Sequence, residues 1–245
     1  MRTRRALPAT ALTLLTAAAI APASAGATCA KVPLADLVSG SKIVATVQFV
    51  EGDGSTYGEL RTPAAANVIE YDQGSGPQQL KVSTALGALA FGNEGIRPKA
   101  GERWRVYGSL SPNGSLGTSI CSGSVLMPTK SASATLTAGG KSRPLAPSSI
   151  SGKPHSGALP AVKLPRSGTV KLRATSPALD VAAAQAVTAR LIEPGHAART
   201  LKVAWSGRSS AMSGKLPKLK LGKKGATLVI VTREAAFAIA LRKPA

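Results

Sequence analysis

The chain has 245 residues, 44% of them hydrophobic, with 3% aromatics, two cysteines, two histidines and a formal net charge of +20. That is room for one large or two modest domains with real cores, built from Ala, Val, Leu and Ile because aromatics are scarce. The same scarcity excludes base stacking as a mode of nucleic-acid binding by the basic part of the chain, and neither cysteine has a metal-ligand spacing around it.

Residues 1–25 read as a secretory signal. Arg2, Arg4 and Arg5 form a positive start, "ALTLLTAAAIA" an apolar stretch, and Ala23-Ser24-Ala25 a small-residue cleavage site. The expected location is therefore secreted or associated with the cell wall. Cys29 follows the signal and Cys121 lies 92 positions later. In an oxidising compartment an isolated pair of this kind reads as a structural disulfide, the alternative being a reactive thiol or metal ligand. On the chain-entropy view, closing so long a loop stabilises by about 4–5 kcal/mol.

Between the cysteines the pattern is that of strands. "SKIVATVQFV" sets Ile43, Ala45, Val47 and Phe49 on one face against Val44, Thr46 and Gln48. "ANVIEY" and "QQLKVST" are shorter candidates. "ERWRVYG" places Trp104 and Val106 on one side and Arg103, Arg105 and Tyr107 on the other, and "SPNG" is a turn before "SLGTSICSGS". About five strands in about 100 residues suit a small closed barrel.

A cysteine at the mature start, a strand such as "IVATVQFVEGDG", then "GERWRVYG" and a closing "TSICSGS" resemble the netrin-like/TIMP-like domain found in tissue inhibitors of metalloproteinases and in secreted bacterial proteins. The resemblance covers about Cys29 to Val125. It implies a five-stranded OB-type barrel over 26–128 and a Cys29–Cys121 bridge. The Cys-x-Cys start that chelates a protease zinc is absent, since Ala30 and Lys31 follow Cys29. Zinc chelation is therefore not implied, and protease-inhibitor-like binding through the barrel stands as the alternative function.

Residues 129–160 are rich in Ser, Gly, Pro and Lys and read as a linker or loops, with "SATLT" a strand of one flanking domain. Alternation returns over 161–245. "TVKLRAT", "AVTARLI", "TLKVAWS", "ATLVIVT" and "AAFAIALRK" give five to seven strands, which fit a small immunoglobulin-like β-sandwich. The last two segments are apolar, but Arg233 and Glu234 interrupt them. A hairpin fits that pattern better than a membrane span. The fold expected is all-β, a barrel followed by a sandwich.

The charge is uneven. Residues 26–130 carry +1 and residues 131–245 carry +16, an asymmetry that suggests a polyanionic partner. Lys171, Arg173, Arg190 and Lys202 sit opposite inward apolar residues. Lys215, Lys218, Lys220, Lys223 and Lys224 crowd one short span. Together they form the candidate surface for an anionic cell-wall polymer or acidic membrane, against the plainer reading of lysines that keep sheet edges soluble.

No motif of nucleotide, metal or nucleophile chemistry is present. Ser39 to Lys42 matches S-x-x-K and Ser111-Pro112-Asn113 matches S-x-N, but the element that completes such sets is missing. His155 and His196 both fall in turns and read as polar filler. No catalytic residue, metal site or cofactor is expected. An enzyme would need a cleft that gathers a histidine and carboxylates from both domains. The function expected is that of an exported, non-enzymatic binding protein of the cell envelope.

Overall fold

Period-two alternation becomes strand in both halves of the chain. The computed structural model describes residues 32–50, 52, 63–83, 96, 98–118, 123–165, 169–178 and 180–243. Residues 1–25, read from the sequence as a signal, and Cys29 and Cys121 lie outside the described residues.

The first half opens on a helix, α1 (Leu34–Gly40), which the alternation did not announce. Leu34, Leu37 and Val38 share one face of it and are buried. Six strands follow: β1 (Ile43–Phe49), β2 (Ala64–Gln73), β3 (Gln79–Ser83), β4 (Arg103–Leu110), β5 (Ser115–Gly117) and β6 (Val125–Leu126). Their order is β1-β2-β3-β5-β4-β6, and β4 also pairs with β1, so five strands close into a barrel. β3 and β5 run parallel, and the other pairs are antiparallel. Register shifts in the β1–β2 pair bend the sheet as closure requires. Ile43, Ala45, Val47, Phe49 and Val106 fill the barrel, as their alternation predicts, together with Leu80 and Leu116.

The second half is a sandwich that starts earlier than the sequence suggests. β7 (Ser133–Ala138), β8 (Lys141–Pro144) and β9 (Ala146–Ser148) occupy the stretch expected to be linker or loops, where only "SATLT" was expected as a strand. Ala134, Leu136 and Ala138 of β7 are core residues. β7 is the expected "SATLT" strand, whereas β8 and β9, short and carrying Pro144 and Pro147, show no apolar alternation among Gly and Pro. The two glycines are themselves the hairpin: Gly139 and Gly140, at φ +56° and +77°, form a two-residue turn between Ala138 and its partner Lys141.

The rest comprises β10 (Ala161–Lys163), β11 (Val170–Thr175), the single helical turn α2 (Ala183–Ala186), β12 (Val187–Ile192), β13 (Arg199–Thr200), β14 (Ala204–Arg208), β15 (Ala211–Leu216), β16 (Ala226–Thr232) and β17 (Ala236–Arg242). One sheet runs β14-β15-β11-β7-β8. The other runs β10-β17-β16-β12-β13, with β9 also on β17. Leu136, Leu172 and Met212 from the first meet Leu191, Ile230 and Ile239 from the second, in the face-to-face packing of an immunoglobulin-like sandwich. The interrupted apolar pair is the β16–β17 hairpin, with Arg233 and Glu234 at its turn. Among the described residues no helix is long and apolar enough to cross a membrane.

A third apolar cluster joins the halves. Leu34, Leu37 and Val38 of α1 and Val44 and Tyr107 of the barrel wall pack on Ile150, Val229, Val231, Ala236 and Ala238. Covered on both faces, β16 and β17 read as nearly unbroken apolar runs, as doubly buried strands do.

Candidate functional sites

The seam between barrel and sandwich is polar at its centre. Arg105, on β4, points away from the barrel core as its alternation requires, but into the seam rather than into solvent. Its Nη1 lies 3.1 Å from Asp72 Oδ2, each side chain 2% exposed. The same nitrogen donates to the Glu234 carbonyl at 2.7 Å, and the guanidinium carbon sits 5.8 Å from the centre of the Tyr107 ring. Tyr107 Oη donates to the Arg233 carbonyl at 3.0 Å. Arg233 Nη2 donates to the carbonyls of Val32 and Gln185, both at 3.3 Å. The Glu234 carboxylate accepts from Ser176 Oγ at 2.5 Å and from the Ala178 amide. Burial pushes the Asp72 carboxyl above its ordinary range, with Arg105 and His155 pulling it back in part.

At the mouth of the seam lies a cleft of about 350 Å³ whose lining includes Glu70, Asp72, Arg105, Lys130, His155 and Phe237. Glu70 and Asp72 are two apart on β2 and so share a face. His155 comes from the sandwich. The loop after β9 turns at Ser149–Gly152 and returns, where the His155 amide donates to the Pro147 carbonyl at 3.1 Å. His155 Nε2 then stands 3.0 Å from Glu70 Oε1 and 3.9 Å from Asp72 Oδ1. Burial raises the Glu70 carboxyl, and the His155 charge opposes that rise.

This cleft gathers a histidine and carboxylates from both halves, the arrangement that the sequence sets as the condition for chemistry and cannot itself assemble. His155 was read as filler because 85 positions separate it from Glu70 and no local pattern links a loop to a distant strand. The other candidates stay apart. His196 is exposed in a turn, its amide donating to the Glu193 carbonyl. Ser39 Oγ donates to the Asp36 carbonyl within α1. Ser111 and Asn113 knit the β4–β5 turn together through Ser115.

The predicted basic residues separate into groups. Lys171 of β11 faces Lys215 of β15 directly across the ladder. Lys215 pairs on its other side with Ala204, and Lys171 with Thr137, which pairs in turn with Ser142. One row of the outer face thus reads Ala, Lys, Lys, Thr, Ser. Arg173 stands in the next row with Ser213, Ser206 and Thr135. A shallow groove of about 620 Å³ runs over Lys171, Arg173, Lys215, Ser206, Ser213 and Thr137, without a carboxylate in its lining. Lys202 is exposed two positions before β14. Lys218, Lys220, Lys223 and Lys224 are exposed on the β15–β16 connection, which Leu219 and Leu221 pin to the core. Arg190 does not join them. It is half-buried on the other sheet, its Nη1 donates to the Ile150 carbonyl at 3.3 Å, and burial lowers its pKa.

No protein-family model matches the chain, and no curated protein sequence matches it.

Proposed function

We propose that the protein binds polyanions through the outer face of its five-stranded sheet, as an exported, non-enzymatic binding protein of the cell envelope. The observation that supports this most is the juxtaposition of Lys171 and Lys215 across one ladder, with Arg173 beside them and no carboxylate lining the groove. Like charges directly opposite in a sheet repel. A sheet evolved only for solubility gains nothing from that placement, whereas a phosphate or carboxylate bridging both ammonium groups relieves it. The surrounding hydroxyls of Ser206, Ser213 and Thr137 supply neutral donors for the remaining anionic oxygens. Lys202 and the lysines at 218–224 extend the positive field around this face.

The test is retention of the full chain on purified cell wall and on vesicles containing acidic phospholipid, at low and high salt. Salt should release the wild type, and Lys171→Glu/Lys215→Glu should bind at least about tenfold more weakly at low salt, since each lost ionic contact removes a salt-sensitive increment. Retention that ignores salt, or a double variant that binds like wild type, overturns the reading. Retention on one support alone identifies which polyanion is the partner.

A further inference from the structure

We propose that Glu70, Asp72 and His155 form a binding site for one first-row divalent metal ion of the zinc type, held between barrel and sandwich. One carboxylate oxygen from each acid and one imidazole nitrogen lie within 4.8 Å of one another. Two of the separations are 3.0 and 3.9 Å, from His155 Nε2 to Glu70 Oε1 and to Asp72 Oδ1. Around an ion bound at about 2.0–2.1 Å, tetrahedral ligands stand roughly 3.3 Å apart. Small rotations of Glu70 and His155, each about one-third exposed, bring the three donors to that spacing.

A second, independent feature points to a ligand. Asp72 is buried, and its Oδ2 is taken by Arg105. Its Oδ1 is also buried and accepts no hydrogen bond, yet it is the oxygen that faces the His155 ring. A buried carboxylate oxygen without a donor is costly, and such atoms call for a specific explanation. A cation between Asp72 Oδ1, Glu70 and His155 supplies one. Arg105, fixed by Asp72 and by the Glu234 carbonyl, then acts as the outer partner that orients the Asp72 carboxylate. Its positive charge also weakens the site, so affinity in the micromolar range is expected.

The donor set sorts the candidates. Two carboxylates and an imidazole suit Zn²⁺, Mn²⁺ or Fe²⁺ better than soft Cu⁺, which prefers sulfur. Three protein ligands, with the cleft on the remaining side, leave a coordination position open to water or to an anionic group.

The experiment is calorimetric titration of the full chain with zinc chloride at neutral pH, repeated with His155→Ala, Glu70→Gln and His196→Ala. Circular dichroism of each variant confirms its fold, and the partial exposure of His155 and Glu70 makes both changes tolerable. Asp72 is left intact because it holds Arg105. One ion per chain should bind. His155→Ala and Glu70→Gln should each weaken binding by more than about tenfold, the least that loss of even an outer partner costs. His196→Ala should leave it unchanged. Co²⁺ in place of zinc should give the visible bands of a nitrogen–oxygen site. The proposal is overturned by absence of binding, by equal affinity in His155→Ala, or by a thiolate charge-transfer band that places the ion on the cysteines.

Discussion

Arg105 shows what a single residue in a strand pattern reveals and what it conceals. Alternation in "ERWRVYG" places it outside the barrel core, and that is where it lies. Alternation carries no information on what covers the outside, so the residue reads as solvated when it is among the most buried side chains in the protein. Its partner Asp72 is equally buried. Removing one member of such a pair leaves an unpaired buried charge, which typically costs 3–5 kcal/mol, whereas replacing both by apolar groups is often neutral or better. Arg105→Leu should therefore destabilise the protein by about 3–5 kcal/mol, and Arg105→Leu/Asp72→Leu should recover most of that loss. Urea unfolding of the two variants checks this. A double variant as unstable as the single one would show that Arg105 matters for its shape rather than its charge.

At the scale of elements, legibility followed the size of the side chains. β11 and the β16–β17 hairpin were readable because Val, Leu and Ile mark the buried positions. β7 was readable as the "SATLT" strand without its domain, and β8 and β9 were masked because no large apolar side chain marks them. α1 was missed because seven residues barely establish a helical period. In the closing "CSGS" the reason for the glycine was not legible. Gly123 has φ +87°, and a Cβ there would stand 2.6 Å from Leu37 Cδ1 and 2.7 Å from Arg233 Nη1. Those neighbours come from α1 and from the far hairpin, at opposite ends of the chain. Gly123→Ala meets both an unfavourable backbone region and two occupied positions. It should cost roughly 1–3 kcal/mol and shift the thermal midpoint down. An unchanged midpoint would mean the seam is loose enough to give way there.

For the whole molecule, a closed barrel and further β-sheet were legible and their union was not. The change of composition after Cys121 and the charge asymmetry across Lys130 mark two bodies, and both are β. The apolar outer wall of the barrel, with Val44 and Tyr107, is ordinary strand sequence until its cover is seen. The cleft exists only because of that union, so neither Glu70 nor His155 identifies it alone. Tyr107 links this level to pH. Burial pushes its phenol above the ordinary value of about 10. The folded chain then holds the proton more tightly than the unfolded one. The resulting stability is fully present below the ordinary value and falls as pH rises through the higher folded-state value. Tyr107→Phe has no proton to lose. Its urea midpoint should change less than that of wild type between neutral and strongly alkaline solution. Parallel declines in the two proteins would assign alkaline sensitivity to other groups.

The hydrogen bond from Arg105 to the Glu234 carbonyl spans 129 positions, and that span sets a timetable for synthesis. At translation rates of about 5–20 residues per second, the barrel strands emerge on the order of ten seconds before the hairpin that covers them. During that interval the nascent chain displays Val44, Tyr107 and a half-satisfied arginine on one wall, a surface that the finished protein never shows. A ribosome that stalls, or a message truncated before codon 234, would release a barrel permanently in that state, with a sticky flank and a clean interior. Quality control acting on this protein would then be judging whether the β16–β17 hairpin has arrived.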